Sequence, residues 1–457
     1  MDKILDSIET FKERYLEDLK EFLKISSVSA DSNYEKDTRK CAEFLRDHCE
    51  KIGLENSRIF ETKGYPIVYA DYCHAPNKPT VLLYGHYDVQ PPDPINLWET
   101  PPFEPTERNG SLYARGVSDD KGQVYCHLKA IQTWLKEEGN LPVNIKLLIE
   151  GEEEIGSPNL APFINQNKEH LKADTALISD TPMYSPTRPS ICYSLRGMVY
   201  IELFVTGPSH DLHSGQHGGV VQNPIQALAE IIGKLKDQDQ KVLIPGFYDD
   251  VNPISESRSL EIRKLEIDES DYKKSMGVNT LVGEPDFSIN ERKWLRPTLD
   301  CNGIQGGYIG EGAKTIIPSK ASAKISMRLV ANQDPKKIVT LFNDYIQSIK
   351  PAGISIEIKE YAGAYPAVVD TTSEAITAGL AALKKAFGYN PILQGEGGTI
   401  PVVVDLKKIL GLETVLMGFN LPDDGIHSPN ERFKIDHYYK GIKASAIFFK
   451  ELSERWG

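Results

Sequence analysis

No apolar run in this 457-residue sequence approaches the roughly 18–20 residues that a membrane-spanning helix needs, which excludes a helical membrane protein. The opening stretch, MDKILDSIETFKERYLEDLK, lacks the apolar core and small-residue cleavage site of a secretory signal. Cysteine is scarce: six residues (Cys41, Cys49, Cys73, Cys126, Cys192, Cys301) are scattered with no CxxC pair, so neither a disulfide framework nor a zinc–thiolate site is expected. Buried, reduced thiols in a cytoplasmic protein fit this usage. Basic residues are outnumbered, 52 Lys+Arg against 65 Asp+Glu, and the formal net charge of −13 argues against nucleic-acid or anionic-membrane partners. Internal repeats, low-complexity tracts and floppy linkers are absent.

What is present is ordinary globular composition, 40% hydrophobic and 26% charged. The length corresponds to about three domains, or two with one large. Ile4, Ile8, Phe11, Tyr15, Leu19 and Phe22 step by three or four, predicting an amphipathic helix, and a second helix is expected from about Asp37 to Ile52. The apolar runs Val81–Tyr84, Ile145–Ile149 and Thr175–Ile178 read as buried strands, with a helix between the first two from about Asp120 to Lys136. Alternating strands and helices imply an α/β domain with a largely parallel sheet. Each of these strands runs into histidine or acid: His86 and Asp88, Glu150–Glu154, Asp180. Ligands of open α/β sheets bind beyond the carboxyl ends of strands, so this edge is an active-site candidate.

The texture changes near Gly197. Strands are expected over Met198–Gly207, Ala321–Val330 and around Ile354–Ile358, and helices over Pro224–Lys236 and Pro335–Ile349. Period-two alternation over Ala321–Leu329 marks a half-exposed sheet, hence an inserted α+β domain. Pro245–Pro297 is long, polar and weakly periodic, and reads as a loop. The helix–strand pattern then returns: a capping box at Thr371-x-x-Glu374 opens a helix ending at Gly388, a strand covers Thr414–Met417, and a closing helix spans about His437–Glu451.

Singly, the polar motifs have bland readings. His86-Tyr87-Asp88 reads as a surface turn, Ser118–Gly122 as a helix cap, and Glu150–Glu154 as a solvated acidic loop. Together, two histidines and several carboxylates, most of them just after predicted strands, form a nitrogen/oxygen ligand set suited to Zn²⁺, Mn²⁺ or Co²⁺. Five ligands exceed what one catalytic zinc needs, which suggests a dinuclear centre.

The motifs YGHYDVQP, LYARGVSDDKG, LIEGEEEIGS, ALISD, DLHSGQHGG, KTIIPSKASAKISMRLV, GEGGTIPV and DDGIHSPNE occur in this order, with PGFYDDV and WLRPTLD in the middle region. In this set the chain resembles the dinuclear zinc peptidase family that contains carnosine dipeptidase, cytosolic nonspecific dipeptidase, peptidase T and glutamate carboxypeptidases, and most of all its dipeptidase branch. The resemblance implies a zinc-exopeptidase-like α/β catalytic domain with a mixed, largely parallel sheet over 1–197 and 367–457. It also implies an inserted α+β lid and dimerisation domain over 198–366. It implies that His86 and Asp180 bind one divalent ion, Glu154 and His427 a second, and that Asp119 bridges both through a segment whose Asp119–Asp120 peptide is cis. Asp88 would orient His86, and Glu153 would be the general base acting on a metal-bridging water. His213 would reach the substrate of a partner subunit, Arg328 would grip the substrate carboxylate, and Gly398 and Thr399 would close on its backbone. Gly395 departs from the arginine common in dipeptidase relatives, so a second basic contact is not expected there. The implied activity is hydrolysis of dipeptides or similarly short peptides with a free C-terminus, using two divalent ions, zinc first. An N-acyl amino acid deacylase and a silent metal- or peptide-binding protein are the alternatives. A homodimer is expected, and the helix face with Ile225, Leu228 and Ile232 either serves that pairing or packs on its own sheet.

Overall fold

The strands read from Val81, Ile145 and Ala176 lie side by side in the protein, described here from a computed structural model covering residues 1–265 and 267–456. The chain divides into two compact units, one comprising residues 1–193, 369–394 and 402–457, the other 194–368 and 395–401. Thr80–His86 is the hub of the first unit: it pairs in parallel with Asn144–Glu150 on one side and Thr175–Ile178 on the other, and Thr175–Ile178 pairs in parallel with Glu413–Leu416. The sheet continues antiparallel through Ile67–Tyr72 to Glu55–Phe60, and Ser190–Leu195 joins Glu413–Leu416 antiparallel, so the fold is mixed α/β. From Val81 to His86 every residue is buried, as expected of a strand covered on both faces. His86 lies opposite Glu150 in the register, so two polar strand ends reach one edge together.

Helices cover this sheet. Asp2–Leu23 buries Ile4, Ile8, Tyr15, Leu19 and Phe22 of the foretold stripe, with Leu16 and Leu23 beside them, while Phe11 is half-buried. It packs on Lys121–Glu138, which in turn packs on Ile435–Arg455, against which Glu374–Phe387 lies. The cap of Glu374–Phe387 differs from expectation: the Ser373 hydroxyl, not Thr371, accepts the Ile376 N–H. Asp370 holds Thr372 instead, in an Asx turn just upstream.

The second unit carries an antiparallel sheet in the order Thr298–Gly306, Lys320–Leu329, Gly197–Thr206, Ser355–Ala364. Val199, Ile201, Leu203 and Val205 face inward with Ala321, Ala323, Ile325 and Met327, and helices Pro224–Gly233 and Pro335–Ile349 pack on that face. Both helices open on an acceptor side chain, Asn223 or Asp334, followed by proline, the combination that satisfies free N–H groups and presets the first turn. Leu228 is 1% exposed inside this core and Ile225 and Ile232 pack against it, so the apolar face of Pro224–Gly233 serves its own sheet. Pro245–Pro297 is not a plain loop: it holds helices Glu256–Arg263, Glu269–Met276 and Ile289–Trp294, capped by Ser255, Asp268 and Ser288. Among the described residues no helix is long and apolar enough to cross a membrane, and none of the six cysteines forms a disulfide.

Candidate metal centre

Five side chains converge beyond the carboxyl end of the central strands of the first unit. His86 ends its strand fully buried, with Nε2 3.1 Å from Asp119 Oδ1. Its Nδ1 is 2.9 Å from the Asp88 main-chain oxygen and 3.4 Å from Asp88 Oδ1. Asp119 stands just before helix Lys121–Glu138, and its peptide bond to Asp120 is cis. The next carboxylate, Asp120, accepts the His86 main-chain N–H at 3.3 Å, which ties the helix start to the strand end. The close approach requires Gly85: a β-carbon there would lie 2.3 Å from Val124 Cγ2 and 2.7 Å from Asp120 Oδ2.

Glu154 belongs to a single helical turn, Glu153–Ile155, after the Asn144–Glu150 strand. Its Oε2 is 3.2 Å from His427 Nε2 and accepts a hydrogen bond from Gln90 Nε2 at 2.7 Å. His427 Nε2 is also 2.9 Å from Asp119 Oδ2. Two donor groups result. His86, Asp119 and Asp180 offer ligand atoms within 4.8 Å of one another, as do Asp119, Glu154 and His427, and Asp119 is common to both. Asp88 does more than face His86: its carboxylate accepts the Glu153 and Glu154 N–H groups at 3.2 and 3.1 Å, and the Ser29 hydroxyl at 2.6 Å. It thereby clamps the acidic turn to the histidine strand.

The protonation pattern shows what this cluster needs. Burial, then the charge of Asp119, raises Asp180 to about 7. Burial together with Asp180 and Glu154 also pushes Glu153 well above the usual carboxylate range. Bonds to Asp119 and Glu154 raise His427 to about 10. Burial opposes ionisation of Asp119, yet its bonds from His427 and His86 hold it below the usual range. Burial and mutual repulsion thus oppose simultaneous ionisation of these carboxylates, whose lone pairs converge on the same space. Divalent cations would neutralise the cluster without protons, and a set of imidazole and carboxylate donors with no thiolate suits catalytic zinc or a similar ion.

The other sequence-identified residues lie in the second unit. His213 ends the short strand Leu212–His213, is exposed, and accepts the Gly215 N–H at Nδ1, 3.0 Å away. Arg328, near the end of Lys320–Leu329, donates from Nη1 to the Thr399 hydroxyl at 3.0 Å, and that hydroxyl donates to the Arg196 main-chain oxygen at 2.6 Å. The Gly398 main-chain oxygen accepts the Arg196 N–H at 3.0 Å. Gly395 has Trp294 against it: a β-carbon would lie 2.6 Å from Trp294 Cβ, so no side chain fits there. Trp294 itself is 5% exposed, in keeping with a packing role.

Sequence reading missed Arg196, whose Nε donates to the Gly397 oxygen at 3.1 Å, and which forms no ion pair among the described residues. Its only signal was a lone arginine before a glycine. Gln90, which holds Glu154, lay inside the quoted motif YGHYDVQP but was assigned no role, and Ser29, which holds Asp88, carried no signal. Glu431 lay inside a quoted motif but was assigned no role.

Comparison with known proteins follows the same lines. The model of peptidase family M20/M25/M40 matches residues 82–451. The Cys-Gly metallodipeptidase DUG1 of Candida albicans is 32% identical, over 96% of this chain and 95% of its own. Among solved structures, an M20 family metallo-carboxypeptidase of Sulfolobus solfataricus matches with a TM-score of 0.88 at 38% identity, over 96% of this chain and 99% of that one. Human carnosine dipeptidase 1 matches at 0.87 and 29% identity, over 99% and 98%.

Proposed function

Because the chain belongs to peptidase family M20/M25/M40, and is thus a metallopeptidase, we propose that it hydrolyses dipeptides and comparably short peptides bearing a free C-terminal carboxylate. The observation that carries this reading is Asp119, shared by two groups of metal-donor side chains. His86 and Asp180 would hold one divalent ion and Glu154 and His427 the other, with Asp119 common to both; zinc suits this set, with manganese or cobalt as alternatives. Such ions, when bound, polarise the scissile carbonyl and acidify water. Glu153 takes a proton from the attacking water and returns it to the leaving amine. Asp88 fixes both the His86 ring and the turn that presents Glu153. Arg328 offers a fork to the substrate carboxylate, and Gly398 and Thr399 contact the substrate backbone. We place the protein in a reducing, cytoplasmic setting, a reading supported by six scattered cysteines with no CxxC pair in a chain of this length.

The testing experiment is metal analysis with a dipeptide screen. About two divalent ions per chain are expected, with chelation abolishing activity and re-addition restoring it. One tightly held ion in fully active enzyme would sink the dinuclear reading. The 38% identity to a structure named a carboxypeptidase favours a second reading, trimming of longer peptides from the C-terminus. Faster turnover of N-blocked dipeptides than of free ones would select it.

Arg328→Ala should weaken kcat/KM on free dipeptides by roughly 10–100-fold, the equivalent of about 1.5–3 kcal/mol for a charge-assisted bond, and change C-amidated ones far less. Equal losses on both would assign Arg328 a structural role.

We further propose a homodimer in which His213 acts on the substrate of the partner and supports its oxyanion. The solvent exposure of His213 supports this reading. His213→Ala and Glu153→Gln homodimers should each be nearly inactive. Their heterodimer should recover about half of parental activity, because one site regains both groups. A purified heterodimer that stays inactive would refute donation between subunits.

A further inference from the structure

The motif that ends in His427 continues for four residues to Glu431, a carboxylate that the proposed mechanism does not use. Glu431 is fully buried, and its side-chain carboxylate accepts hydrogen bonds from donors of the segment that leads to Asp119. Its Oε2 accepts from Arg115 Nη1 at 2.8 Å and from the Gly116 N–H at 2.8 Å. Its Oε1 accepts from the Ser118 N–H at 2.9 Å and the Asp119 N–H at 3.2 Å. An ionised carboxylate has about four acceptor positions, so all are used on one stretch of five residues.

The backbone of Glu431 is fixed to the same stretch. Its main-chain oxygen accepts the Ala114 N–H at 3.2 Å, and the next three residues, Arg432–Lys434, pair antiparallel with Ser111–Tyr113. Phe433 and Leu112 are opposed in that pairing and both are buried. Arg115 is itself 1% exposed, donates a second bond to the Pro91 oxygen at 3.3 Å, and lies over the Trp98 ring. Removing the carboxylate would therefore take the ion-pair partner from a buried guanidinium and the acceptor from three buried N–H groups together.

These contacts have one geometric consequence. Asp119 and His427, which come from opposite ends of the catalytic unit's sequence, must present carboxylate and imidazole 2.9 Å apart. His427 sits on an exposed turn with a φ of +62° and its ring is half open to solvent; the turn itself is closed by the Ser428 N–H to the Gly425 oxygen and the Arg432 N–H to the Asp424 oxygen, both at 2.9 Å. Glu431 links the backbone of that loop to the backbone N–H of Asp119 itself. We propose that Glu431 is a positioning residue that locks the Asp119 segment to the His427 segment and so presets the shared ligand for two divalent ions. The proposal rests on the reading of Asp119 as the ligand common to both.

The test uses the full-length protein stripped of metal. In the parent, peptides spanning Gly116–Asp119 should resist hydrogen exchange before any metal is added, because Glu431 and not an ion holds their N–H groups. Glu431→Gln keeps the shape but turns two donors toward donors. It should weaken zinc affinity, read by competition with a chromophoric chelator, by 10–100-fold, the usual cost of losing a group that orients metal ligands. The visible spectrum of its cobalt form should also shift. Arg115→Met/Glu431→Gln removes the charge imbalance as well; affinity should stay at least 10-fold below the parent.

A merely structural role predicts otherwise. Folded variant would then bind zinc with parental affinity and give the parental cobalt spectrum, and either result overturns the proposal. So does restoration of parental affinity in the double variant, which would reduce Glu431 to a counter-ion for Arg115. If neither variant folds, exchange in the metal-free parent decides, and rapid exchange at Gly116–Asp119 overturns the proposal. Failure of the parent to bind two ions would instead refute the dinuclear reading beneath it.

Discussion

Glu153→Gln will lower kcat by about 10²–10⁴-fold while the enzyme keeps its metal, the usual contribution of a positioned general base. The substitution conserves size and leaves the Glu153 main-chain N–H free to donate to Asp88 Oδ1, 3.2 Å away, so the turn that presents the side chain is retained. What is lost is a proton acceptor among the carboxylates Asp119, Glu154 and Asp180. Glu154→Gln is the control, because Glu154 Oε2 lies 3.2 Å from His427 Nε2 and is read as a ligand. That variant should lose metal first and activity in proportion. KM for dipeptides should change little in Glu153→Gln, since the groups proposed to recognise the substrate's end are untouched. A Glu153→Gln enzyme within a few-fold of the parent would show that another group takes the proton; one that has lost its ions would make Glu153 a ligand.

The neighbouring residues Glu153 and Glu154 also show where sequence reading reaches its limit. Four carboxylates in five positions announce a cation or a solvated loop, but spacing cannot say which carboxylate faces which partner. The structure divides them by contact. Glu150 accepts the Tyr84 and Ser157 hydroxyls at 2.6 and 2.8 Å, Glu152 accepts Asn159 Nδ2 at 2.8 Å, and Glu154 meets His427. Glu150 and Glu152 therefore build the turn.

The central strands were legible because continuous apolar runs such as Val81–Tyr84 can only be buried on both faces. The strands Thr106–Arg108, Ser111–Tyr113 and Arg432–Lys434 were not, because three residues carry no period, although they bring the Glu431 segment beside the Asp119 segment. The helices within Pro245–Pro297 were missed for another reason. Glu256–Arg263 has almost no apolar stripe, and only its Ser255 cap marked it. The apolar face of Pro224–Gly233 shows a third limit: periodicity reveals a face that wants burial but not what covers it.

Asp119→Asn should cost both metal ions at once, where every other ligand substitution costs one. Asp119 Oδ1 is 3.1 Å from His86 Nε2 and Oδ2 is 2.9 Å from His427 Nε2, so each oxygen faces a different donor group. Asparagine keeps the shape but has one oxygen, no charge, and a donor where the second group needs an acceptor. The N–H of residue 119 still reaches Glu431, so the backbone should stay in place and the loss should fall on metal binding. Zinc titration of the stripped variant should show both affinities reduced by at least ~10²-fold, since groups that merely orient a ligand already account for 10–100-fold. Activity at micromolar zinc should be undetectable. Asp180→Asn and Glu154→Gln should each retain one ion near parental affinity, because each belongs to a single donor group. Should Asp119→Asn keep one tight ion while Asp180→Asn or Glu154→Gln loses both, the shared ligand lies elsewhere and the two sites must be redrawn around that residue.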